Sequence, residues 1–159
     1  MRIAITADHN GLALKEHLVA WLEGAGHQVD DRAPDAGAGT VDYPPLCEDV
    51  CRQILEGRAD SAFVIGGSGS GEQIACNKIR GIRAALCQDV FTTQIARAHN
   101  DAHVLVIGAK VVGAALAEQI TETWLTTSFK GERHQKRLDQ IAALERGESL
   151  LGARPEKLE

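Results

Sequence analysis

The chain has 159 residues, a net charge of −5, 44% hydrophobic and 25% charged residues. That length suits one domain with a real core, and the acidic balance argues against general nucleic-acid or anionic-membrane binding, so any phosphate site must be a local basic cluster. Aromatics are only 4%, so Ala, Val, Ile and Leu must fill the core, and no apolar run approaches the ~20 residues that span a bilayer.

Residues 2–7 (RIAITA) read as a first strand, entered with no signal-peptide pattern before it, which sets the expectation of a soluble cytoplasmic protein. Asp8-His9-Asn10-Gly11 punctuates it, and a helix follows to about residue 25 with Leu14, Leu18, Trp21 and Leu22 on one stripe. Residues 27–31 form a short second strand, and 33–43 a polar loop. Pro44-Pro45 opens a second helix, in the first turn where proline is tolerated, and Gly57 ends it. Strand 3 covers 61–65 and a short helix about 71–78. Strand 4 covers 83–87, and a helix over 90–99 follows with Asp89 as its N-cap. Strand 5 is 103–107 (HVLVI), with helices over about 113–126 and 132–146 after it. Strands alternate with helices and are near-continuous apolar runs, as when both sheet faces are covered. The expectation is an α/β fold, a three-layer α/β/α Rossmann-like sandwich around a five-stranded, mostly parallel sheet. One domain over residues 1–146 is followed by a polar tail, 147–159.

The most informative stretch is residues 62–78, AFVIGGSGSGEQIACNK. Glycines at 66, 67, 69 and 71 join a strand to a helix, a junction that gathers main-chain N–H groups in one concavity suited to negative charge. The glycines at 67, 69 and 71 do not match the dinucleotide pattern G-x-G-x-x-G, and Lys78 lies too far along for a P-loop. An anion cradle and a tight turn without ligand remain open. Glu72 enters the helix there, either as a dipole partner or as a base beside the cradle, where a carboxylate and amide donors suit an anionic intermediate made by proton abstraction.

Asp8 and His9 follow strand 1, at the sheet edge where such folds bind ligands, and that position favours a functional role over a helix cap with an exposed imidazole. His99 and Asn100 end a helix and precede strand 5, so within one subunit they belong to the opposite sheet edge. Arg133 and Arg137 stand i, i+4 on the last helix with His134 and Lys136 nearby, either a phosphate grip or a solvated face. Cys47, Cys51, Cys76 and Cys87 show no metal-ligand spacing and read as reduced, partly buried thiols.

As an ordered set, Asp8-His9-x-Gly11, Asp42-Tyr43-Pro44, 66–78, His99-Asn100 and the basic cluster from Arg133 to Arg137 resemble the ribose-5-phosphate isomerase B family, which includes galactose-6-phosphate and allose-6-phosphate isomerases. The resemblance covers about residues 1–146. It implies interconversion of an aldose phosphate and a ketose phosphate through an enediolate, with no metal and no organic cofactor. Many members carry a cysteine base at the first loop position, which here is Gly66. The GGSGxGE pattern is similar to an actinobacterial-type subgroup in which the glutamate takes over, so Glu72 is the implied base. Main-chain amides of Gly67, Ser68, Gly69, Ser70 and Gly71, with the Ser68 hydroxyl, hold the oxyanion.

The same resemblance assigns sugar-ring opening to His99 and contacts with ring oxygen and hydroxyls to Asp8. Asn100 binds the substrate or enediolate, and His9, Arg133 and Arg137 bind the phosphate. It implies a homodimer or homotetramer whose active sites are shared between subunits. Lys110 stands where the family commonly has arginine, keeping the charge without the bidentate fork, and Asn10 replaces a small residue. Ribose 5-phosphate is the default substrate; a four- or six-carbon sugar phosphate and a non-catalytic sugar-phosphate-binding module are the alternatives. A pure binder has no need of Glu72, which repels an anionic ligand.

Overall fold

The computed structural model describes residues 1–35 and 37–152. The expected tail beyond residue 152, and Ala36 in the 33–43 loop, lie outside the described residues. The chain divides into two compact units, Met1–Phe129 and Lys130–Glu159. The first holds β1 (Arg2–Ala7), α1 (Leu12–Gly24), β2 (Gln28–Asp31), α2 (Tyr43–Leu55), β3 (Ser61–Gly66), α3 (Ser70–Cys76), β4 (Ala84–Leu86), α4 (Val90–Asn100), β5 (Val104–Gly108) and α5 (Ala114–Thr126). The second holds α6 (Arg133–Glu145).

The strands form one sheet in the order β2-β1-β3-β5-β4, and every pairing is parallel. Alternate strand residues fill two cores, as the two-residue strand repeat requires. Ile3, Ile5, Phe63, Ile65, Leu105 and Ile107 face α1, α4 and α5, whereas Ala4, Ala62, Val64, Val104 and Val106 face α2 and α3. The helices following the neighbouring strands β1 and β3 therefore lie on opposite faces. Between them opens the crevice at the carboxyl ends of the strands where folds of this class bind ligands.

The expected five strands and six helices are all present. The third helix is shorter than its pattern suggested, ending at Cys76 instead of about residue 78. Asn77 explains the early stop: its Nδ2 donates to the Ala84 carbonyl at 2.9 Å and its Oδ1 accepts from the Ala84 N–H at 2.9 Å, pinning the chain to the start of β4. Asp89 caps α4 as expected, accepting from the Thr92 N–H at 2.8 Å.

At the amino-terminal edge of the sheet, Trp124 is fully buried and donates from Nε1 to Ser61 Oγ at 2.8 Å, and Ser61 donates on to the His103 carbonyl at 3.2 Å. The Arg97 guanidinium lies 5.4 Å from the Trp124 ring centre, a cation–π contact that ties α4 to α5. Cys47, Cys51 and Cys76 are fully buried between α2 and α3, more deeply than the sequence suggested. Their hydrogen bonds to Cys76 and their burial push the Cys47 and Cys51 thiols up, so both stay protonated. Burial likewise pushes Cys87 up to about 11.

Candidate active site

Three strand ends meet at the crevice. The Asp8 N–H donates to the Ile65 carbonyl at 3.1 Å, and beyond β5 the Ala109 and Lys110 N–H groups donate to the carbonyls of Gly66 and Gly67 at 2.8 and 3.0 Å. The loops after β1, β3 and β5 are therefore joined by main-chain hydrogen bonds, a rigid base for polar groups.

The glycines have separate steric reasons. A Cβ on Gly11 would overlap the Ile65 carbonyl oxygen, so only glycine lets the start of α1 approach the end of β3 this closely. Gly69 has φ +80°, and a Cβ on it would press on Leu86. A Cβ on Gly71 would come 2.6 Å from the Tyr43 ring, which gives the Asp42-Tyr43-Pro44 segment a physical part: it backs the loop. A Cβ on Gly108 would lie 2.5 Å from the Ser68 carbonyl oxygen. The loop is thus clamped from several sides with its main chain close to its neighbours. Ser68 itself is exposed, and its Oγ accepts from the Ser70 N–H at 3.3 Å, which engages one cradle amide within the loop.

Glu72 is only 4% exposed, and its carboxylate lies directly against Gly66. Any Cβ at position 66 would overlap Oε1. The loss of a side chain at the first loop position and the presence of a carboxylate at 72 are therefore one structural fact, because both compete for the same space. Burial raises the Glu72 pKa above the ordinary carboxylate value, its own main-chain N–H partly offsets this, and the Asp8 charge adds to the rise. A carboxylate raised towards neutrality can accept a proton and return it, which general-base catalysis requires.

Asp8 is buried, and its Oδ1 accepts from the N–H groups of Asn10 at 2.8 Å and Gly11 at 3.2 Å. It caps the turn into α1 and holds a charge near Glu72 in the same position. His9 is exposed beside it. Asn10 bridges the two: its Nδ2 lies 3.0 Å from Asp8 Oδ2 and 3.1 Å from His9 Nε2. No sequence pattern marks that bridge. Lys110 is exposed and held through its main chain at Gly67.

His99 and Asn100 are not gathered with these groups within the subunit. They end α4 at the opposite edge of the sheet, where Arg83 donates from Nε to the Asn100 carbonyl at 2.9 Å and pairs with Asp101 at 2.9 Å. Asp101 takes φ +43°, and Arg97 donates to the Ala102 carbonyl at 2.5 Å, so the turn carrying both residues is firmly held. Arg133 and Arg137 are exposed on α6, one turn apart, and Arg137 Nη1 lies 3.4 Å from His134 Nδ1.

The sequence matches the Ribose/Galactose Isomerase family over residues 3–141. Ribose-5-phosphate isomerase B of Escherichia coli (strain K12) is 40% identical over 144 residues, covering 91% of this chain and 96% of that protein. The protein of the same name from Mycolicibacterium paratuberculosis is 40% identical over 147 residues, covering 92% of each. Among solved structures, ribose-5-phosphate isomerase B of Clostridium thermocellum aligns with a TM-score of 0.90 at 39% identity, covering 92% of this chain and 99% of that one.

Proposed function

The chain belongs to the ribose/galactose isomerase family and is an aldose–ketose isomerase of sugar phosphates, and we propose that it interconverts ribose 5-phosphate and ribulose 5-phosphate with Glu72 as the base. The observation that carries this reading is the buried Glu72 carboxylate against Gly66, at the carboxyl end of a central strand and beside a loop of main-chain amides.

In the forward direction Glu72 takes the proton from C2 of the open-chain aldose. The electrons pass into the C1 carbonyl and leave an enediolate. Amides of Gly67, Ser68, Gly69 and Gly71, with the Ser68 hydroxyl as a further donor, stabilise the developing oxyanion without reorganising, because the loop is already clamped and Ser70 N–H is held by Ser68 Oγ. The proton of the C2 hydroxyl passes to the C1 oxygen, and Glu72 returns the proton it took to C1, which leaves the ketose carbonyl at C2. The raised Glu72 pKa suits both halves of the transfer. Asp8 orients the ring oxygen and hydroxyls, and Asn100 binds the substrate or enediolate. His9 binds the phosphate. Arg133 and Arg137 are proposed as phosphate ligands on the chemistry of α6 by itself, where two guanidiniums share one exposed face in an acidic protein.

His99 opens the sugar ring. Its place at the far sheet edge supports a homodimer or homotetramer in which each site takes His99 and Asn100 from a neighbouring subunit. We assign the assembly to the cytoplasm, since charged sugar phosphates do not cross membranes unaided.

A second substrate reading rests on Lys110. Its main chain is tied to Gly67, and it offers a single cationic point where the family commonly has an arginine fork, so a four- or six-carbon sugar phosphate is the alternative. A coupled assay across four-, five- and six-carbon aldose and ketose phosphates tests the assignment. The five-carbon pair should give the highest kcat/KM, and Glu72→Gln should lower kcat by roughly 10²–10⁴-fold. Near-normal turnover in that variant would remove Glu72 from its role.

A further inference from the structure

We propose that Asn10 is a positioning residue that fixes the His9 tautomer, placing the ring proton on Nδ1 and making Nδ1–H the donor offered to the substrate phosphate. The proposal rests on the reading of His9 as a phosphate ligand given above.

Asp8, Asn10 and His9 form one chain of contacts. Asp8 Oδ1 already accepts two main-chain N–H groups, and a carboxylate oxygen only accepts. The Asn10 group 3.0 Å from Asp8 Oδ2 must therefore be the amide nitrogen. With the amide turned over, two oxygens would face each other at 3.0 Å with no proton between them. The same nitrogen lies 3.1 Å from His9 Nε2. An amide nitrogen only donates, so Nε2 must accept and its ring proton must be on Nδ1. The Asn10 main-chain N–H donates to Asp8 Oδ1 at 2.8 Å, which fixes the backbone that carries this amide.

This ordering has two consequences at the crevice. Both Asn10 amide hydrogens are committed, one to Asp8 Oδ2 and one to His9 Nε2. A phosphate monoester also mainly accepts, so His9 serves it only as a donor, and with Nε2 engaged that donor is Nδ1–H. A residue with a small side chain at position 10 would leave the ring free to take the proton on Nε2, the form that unconstrained imidazole prefers.

The test uses the full-length protein labelled with ¹⁵N at histidine, at a pH about two units above the ordinary imidazole value so that free rings are neutral. Long-range ¹H–¹⁵N spectra distinguish a protonated from an unprotonated ring nitrogen. His9, identified by the loss of its signals in His9→Ala, should show Nδ1 protonated and Nε2 bare. In Asn10→Ala the proton should move mostly to Nε2, and in Asn10→Asp, whose carboxylate can only accept, it should move there completely. KM for the sugar phosphate should rise roughly tenfold in Asn10→Ala with kcat held within about twofold. A wild-type His9 protonated on Nε2, or a tautomer unchanged by Asn10→Ala, overturns the proposal; so does a tautomer that moves while KM stays put. An unchanged KM in His9→Ala instead defeats the phosphate-ligand reading, whatever the wild-type tautomer proves to be.

Discussion

Gly66→Ala displaces the Glu72 carboxylate while leaving its chemistry intact. The new Cβ would overlap Oε1 and stand 2.9 Å from Oε2, where ordinary contact begins near 3.4 Å. The carboxylate must retreat by more than about 1 Å, and a displacement of that size costs a catalytic group on the order of 10²-fold. Steady-state kinetics should therefore show kcat down by roughly 10²-fold with KM little changed, because the proposed phosphate ligands His9, Arg133 and Arg137 are untouched. The fold should survive: the atoms displaced are the end of a flexible side chain, so the loss is about 1–2 kcal/mol, read as a few degrees of Tm. Gly11→Ala provides the contrast, since its Cβ meets the main-chain carbonyl of Ile65, which cannot swing away. That variant should lose about 3 kcal/mol or more. In a double-mutant cycle, Gly66→Ala should cost almost nothing further once Glu72→Gln is present, because both lesions act on one group. A folded Gly66→Ala protein with kcat within about threefold of the parent would refute the reasoning, as would full additivity in the cycle.

Burial, and then the neighbouring Arg83 charge, lower the His103 pKa from 6.5 to about 4, and the Arg83 N–H donates to its Nε2 at 3.2 Å. The unfolded chain therefore takes up this proton first as pH falls, so stability present above 6.5 is lost on the way down to about 4. With allowance for partial exposure the loss is ~2 kcal/mol. Urea midpoints for His103→Asn should fall less between neutral and acid pH than those of the parent, and equal slopes would dismiss the effect. Mixing Glu72→Gln with His99→Asn subunits tests the shared site. Under the proposed dimer with shared sites, each mixed dimer regains one intact site, so a random mixture of two nearly inactive proteins should recover about a quarter of parental activity. A mixture no more active than its components would place both residues in one subunit's site or remove one of them from catalysis.

The identity of each element was legible in the sequence because it depends on local pattern. Apolar runs such as FVI and HVLVI, the stripe through Leu14, Leu18 and Leu22, and the punctuation by Gly57, Pro44-Pro45 and Asp89 act over a few residues. The crowding of glycines around Glu72 was visible too, as was the separation of His99 from the loop, which follows from its place before β5. The strand order was not legible, because the insertion of β5 between β3 and β4 is a matter of long-range pairing. Nor was the end of α3, which Asn77 sets by reaching the start of β4.

At the site, the residue types were in view while their relations were not. The exclusion between Gly66 and Glu72, the backing of Gly71 by Tyr43, and the bridge from Asp8 through Asn10 to His9 all depend on side chains meeting in space. Sequence alone determined which segments are strands and helices and which polar residues punctuate their ends, since backbone propensity and apolar spacing are local quantities. Tertiary structure decided that a carboxylate fills the space a side chain would take six residues earlier, and which nitrogen of an imidazole can carry its proton. Steric overlap and hydrogen-bond direction exist only once the chain has brought those atoms together.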